Sequence, residues 1–249
     1  MVKKFQLHLI NPTGWRLLFK IALIPFALLL LVKLDFSLLP VLFFSVAFLY
    51  VYFSELPEIG IVKISYLTLT VSTVLGLKVV GTASALFFYG LFSFSLILFW
   101  VLLHLVNFHF KDRFLVYGIF NVALLIQIST LFFYFARLDN FILPGVIVFF
   151  SIVLLFKEVF VFFGASQERR VLVLSVALGL IILELSFFTI FLPLGFINSA
   201  ALIVLFSILI RDAMLFHVRG YLNFDFIFRE LAFLIVVSLV ILASSNWSI

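Results

Sequence analysis

Glu184 is the residue whose type and position most invite chemistry. It lies within the long apolar run 171–192, a little beyond its middle. A charge at that depth in a bilayer costs roughly 2.5–3.5 kcal/mol on insertion scales, and ionisable groups so placed usually face a bundle interior and mark a substrate or proton path. At about 100° per residue, Ser175, Gly179 and Ser186 share one helix face, and Glu184 falls nearly opposite Ser175. The pattern predicts a small face packed on one helix and Glu184 aimed at another. Gln127 sits at similar depth in the run 114–136, where Gln127, Thr130 and Tyr134 form a stripe at spacings of three and four. Gln127 and Thr130 are therefore the expected companions of Glu184 in a proton or substrate path. The plainer alternative is a protonated Glu184 hydrogen-bonded to a neighbouring helix as packing glue.

A second set of candidates lies where the apolar runs end. Adjacent opposite charges recur at Lys111-Asp112-Arg113, Lys157-Glu158, Glu168-Arg169, Arg211-Asp212 and Arg229-Glu230. Sequence neighbours do not face each other on a helix, so each pair is expected to reach across to other helices or to snorkel to the interface. Lys157, Glu158, Arg211, Asp212, Arg229 and Glu230 then form a charged cytoplasmic rim. It reads as a collar that anchors the bundle, or as a docking surface for a cytoplasmic partner or lipid headgroups. Ser65, Thr68, Ser72 and Gly76 make a small-residue stripe that predicts a helix–helix seam. Gly81 and Ala85 offer a weaker contact of the same kind.

Other chemistries are excluded by what the sequence lacks. It has no cysteine, so disulfides, thiolate metal sites and thiol nucleophiles are absent. There is no phosphate-cradling glycine loop and no Gly-x-Ser-x-Gly. Asp112, Asp139, Asp212 and Asp225 stand apart, so no closely spaced aspartate pair is present to bind a metal–pyrophosphate substrate. His104 and His109 are five apart, off one helix face, and with His217 they read as interfacial and structural. No metal and no cofactor is expected, and no nucleic-acid partner.

The elements that must position these residues follow from composition. The chain has 249 residues, 66% of them hydrophobic and only 11% charged, with a mean hydropathy of +1.40. An ordinary soluble domain is about half apolar and roughly a quarter charged, so a soluble fold is excluded. The runs are continuous rather than alternating, which selects helices over a barrel. At about 20 residues per crossing, the spans fall at roughly 15–32, 36–53, 59–78, 82–106, 114–136, 141–163, 171–192, 196–216 and 222–243. The reading is an all-α, polytopic transmembrane helical bundle of about nine spans, or eight if the charged last run does not cross fully. Loops this short leave one membrane domain over residues 1–249.

The positive-inside rule then sets the orientation. With the N-terminus in the cytoplasm, thirteen of the sixteen basic residues fall inside, and Lys33, Lys78 and Arg137 fall outside. The expected topology is N-inside and C-outside, in a bacterial cytoplasmic membrane, with the N-terminal segment retained rather than cleaved as a signal peptide. Trp15, Tyr50, Tyr52, Tyr66, Tyr117, Tyr134, Tyr221 and Trp247 fall near span ends and read as an interfacial belt. Asn11-Pro12-Thr13-Gly14 reads as a turn, Ser54 to Glu58 as a helix start with its own carboxylates, and Pro193 with Gly195 as a short turn. Asn246-Trp247-Ser248 matches a glycosylation sequon but hugs the membrane and the chain end.

Three functions fit these features. The first is a non-catalytic membrane subunit or scaffold, with the lipid bilayer and other membrane or cytoplasmic proteins as partners. The second is a small secondary transporter or channel with Glu184 as its protonatable site. The third is an intramembrane enzyme acting on lipid or isoprenoid substrates near Lys157-Glu158 and Arg211-Asp212. Thirty-seven phenylalanines are spread through the spans, and with glycine scarce they are expected to fill the bundle with rings.

Overall fold

A chain in hydrocarbon must satisfy its backbone polar groups internally, and a long unbroken apolar run does so only as a helix. The computed structural model describes residues 12–34, 37–54, 62–80, 85–107, 112–136, 140–164, 168–218, 220 and 223–245. Among them are nine helices and no strand. These are α1 (Pro12–Lys33), α2 (Leu38–Ser54), α3 (Lys63–Val80), α4 (Ala85–Asn107), α5 (Arg113–Phe135), α6 (Ile142–Phe162), α7 (Glu168–Ile190), α8 (Phe196–Val218) and α9 (Phe224–Ala243). The fold is an all-α helical bundle. Four helices, α5 to α8, are long and apolar enough to cross a membrane, which marks a membrane protein.

One local expectation changes. Helix α1 begins at Pro12, so Pro12, Thr13 and Gly14 are helical rather than a turn. Proline suits a first helical position, where its missing N–H would have no partner anyway. Pro193 and Gly195 do sit in the short connection between α7 and α8. The segments around Glu55 to Glu58, Gly81 and Asn246 to Ser248 lie outside the described residues.

The chain divides into two compact units, Met1–Gly60 with Leu69–Lys111, and Ile61–Thr68 with Asp112–Ile249. In the first, α1 packs on α2 and on α4. Ala27, Leu28 and Leu31 of α1 are fully buried there. In the second, α5, α6, α7 and α8 pack in sequence, α8 closes the ring against α5, and α9 rests on α8. Asn198 of α8 donates to Ser245 just beyond α9, at 3.0 Å.

The tightest seam of the second unit is α6 against α7. A Cβ placed on Gly179 would stand 2.4 Å from Val153 Cγ2 and 3.2 Å from the Phe149 ring. Ser175 and Ser186, on the same face, are buried and turn their hydroxyls onto their own helix at Val171 and Ile182. The small face of α7 therefore packs as its spacing predicts. Rings fill both ends of the unit. Tyr117 stacks on Phe162 at 4.0 Å with Phe114 and Phe163 beside them. At the other end Phe132, Phe141, Phe187 and Phe191 meet edge to face.

Candidate functional site

The first turn of α3 leaves backbone N–H groups with no partner inside the helix, as every α-helix does. An N-cap side chain from the preceding residue normally accepts one of them. Here that position is Val62, which has no acceptor. Glu158, near the end of α6, supplies it from across the bundle. Its Oε2 accepts the N–H of Ile64 at 2.6 Å and of Ser65 at 3.1 Å, while Oε1 also accepts from Ser65 N–H at 3.2 Å. The Ser65 hydroxyl and the Tyr117 hydroxyl donate to Oε1 as well, the second at 2.9 Å. The partial positive charge of a helix N-terminus adds to these bonds. Glu158 is only 5% exposed, and Ser65 and Tyr117 are fully buried. One carboxylate thus joins α3, α5 and α6.

One turn further along α5, Asn121 shares the face of Tyr117. It is fully buried, and its Oδ1 accepts from Arg211 Nη1 of α8 at 3.0 Å. Arg211 is itself buried, and its Nε donates to Asp212 at 2.8 Å. Asn121 Nδ2 has no hydrogen-bond partner among the described residues. Glu158 and Arg211 form no ion pair with each other. Two separate polar locks therefore meet α5 on successive turns, at the end of the unit where α6 and α8 finish.

The rim residues divide sharply. Glu158 and Arg211 are core, and Glu158 pairs across helices as expected. Arg211 also reaches across, to Asn121 of α5, and bonds its own neighbour Asp212 besides. Arg229 and Glu230 likewise approach each other at 4.0 Å. The long, flexible arginine stem reaches around the helix surface, which the spacing argument for helix neighbours overlooks. Lys157 and Asp212 are half-buried, and Arg229 is exposed. Tyr66 and Tyr117 depart from the expected belt, since both are fully buried. The Tyr117 hydroxyl is spent on Glu158.

Glu184 departs most. The structure leaves it exposed on α7, opposite the buried small face. Its opposition to Ser175 is as expected. Gln127 is buried, Thr130 is half-buried and Tyr134 is exposed, so the structure does not bring Glu184 to Gln127. Among the described residues Glu184 has no hydrogen-bond or ionic partner. Ser65 and Ser72 are buried, in line with a seam on α3. His217 is exposed at the end of α8, and no cluster that could hold a metal exists among the described residues. The sequence reading missed the role of Ser65 and Tyr117 beside Glu158, and Asn121 altogether. The available signal was Tyr117 and Asn121, two polar groups four apart in the otherwise apolar stretch 114–126.

No known protein family, no curated protein and no solved structure matches this chain.

Proposed function

We propose that this protein is a non-catalytic membrane subunit or scaffold. The observation that carries the reading is the complete use of the Glu158 carboxylate. Both of its oxygens accept from α3, and Oε1 accepts from Tyr117 as well. A general base or a proton carrier needs a free face toward its substrate, and Glu158 spends its acceptors on holding helices together. The transporter reading rested on Glu184 facing inward, and its exposed position removes that support. The enzyme reading needs Arg211 and Asp212 open to a lipid headgroup, whereas Arg211 is buried and bonded to Asn121.

On this reading the chain forms one domain in a bacterial cytoplasmic membrane, N-inside and C-outside, supported by the inward bias of its basic residues. An active C-terminal alkaline phosphatase fusion is expected; an inactive one, with a fluorescent fusion maturing in the cytoplasm, overturns that topology. Substitution Glu158→Gln tests the function. A structural carboxylate predicts that the variant, expressed at reduced temperature to the wild-type level, complements a deletion strain as well as the wild type. Folded protein at wild-type abundance that fails to complement overturns the subunit reading.

A further inference from the structure

We draw no further inference here: the strongest candidate, the buried side-chain cluster of Asn121 and Arg211 between α5 and α8, is held by its own bonds to each other and to Asp212, and the donor it leaves over, Asn121 Nδ2, is enclosed by the protein, so nothing in the structure shows what acceptor meets it.

Discussion

Glu158 and Glu184 are chemically the same group, each carried by an apolar helix of the second unit, and the fold treats them in opposite ways. Glu158 sits near the end of α6, where the chain brings it the N-terminus of α3 and two hydroxyls. Glu184 sits deeper in its helix and receives nothing from the described chain. A buried polar group is tolerated when its hydrogen bonds are made, and Glu158 meets that condition within the chain. The contrast teaches that depth in an apolar run says how much a carboxylate needs a partner, not where the partner comes from.

The widest separation between the two is expected from leucine substitutions. Glu158→Leu strands the N–H groups of Ile64 and Ser65 and two hydroxyls. At about 1–3 kcal/mol for each buried donor left unsatisfied, relieved in part by rearrangement, the expected loss is about 3–5 kcal/mol. It would be read as a fall in the thermal unfolding midpoint in lipid nanodiscs. A loss as small as that of a surface substitution would erase the distinction between the two carboxylates.

Tyr117→Phe removes a single donor to Glu158 while keeping the ring stacked on Phe162. A hydrogen bond to a charged group contributes about 1.5–3 kcal/mol, and the variant is expected to lose an amount in that range. Tyr117→Phe placed on Glu158→Leu should then cost much less than it does alone, because the bond is already gone. Full additivity in that double-mutant cycle would show that the hydroxyl contributes elsewhere.

Gly179→Ala probes the opposite face of the helix that carries Glu184. Its new Cβ would meet Val153, so overpacking of about 1–3 kcal/mol is expected. Val153→Ala should recover part of it. Wild-type stability of the single variant would mean that the α6–α7 seam can slide, and that Glu184 has freedom to turn inward. The smallest effect belongs to Glu184→Leu, expected to change the folding stability of the single chain by no more than about 0.5 kcal/mol. A large loss there would place a partner for Glu184 inside the chain.

Much of the fold is legible in the apolar runs. The run 114–136 becomes α5 from Arg113 to Phe135, and 141–163 becomes α6 from Ile142 to Phe162. Within the run 59–78 the described helix α3 begins at Lys63. The acceptor used comes from Glu158, ninety-four residues from Ile64, and no local signal reports it. The rim pairs were legible as charges, but their sorting into core and surface was not.

By itself the sequence determined an all-α membrane protein, the approximate ends of its helices and the opposition of Glu184 to the small face of α7. Those properties follow from hydrophobic length and from the helical repeat, both of which are local. Only the tertiary structure decided which face of each helix points inward, and so which carboxylate is core. In water an apolar stripe marks the inner face. In lipid both faces are apolar and no such stripe forms. Rotation about the helix axis is then set by packing, at Gly179 against Val153, and by buried polar bonds, at Glu158 with Ser65 and Tyr117.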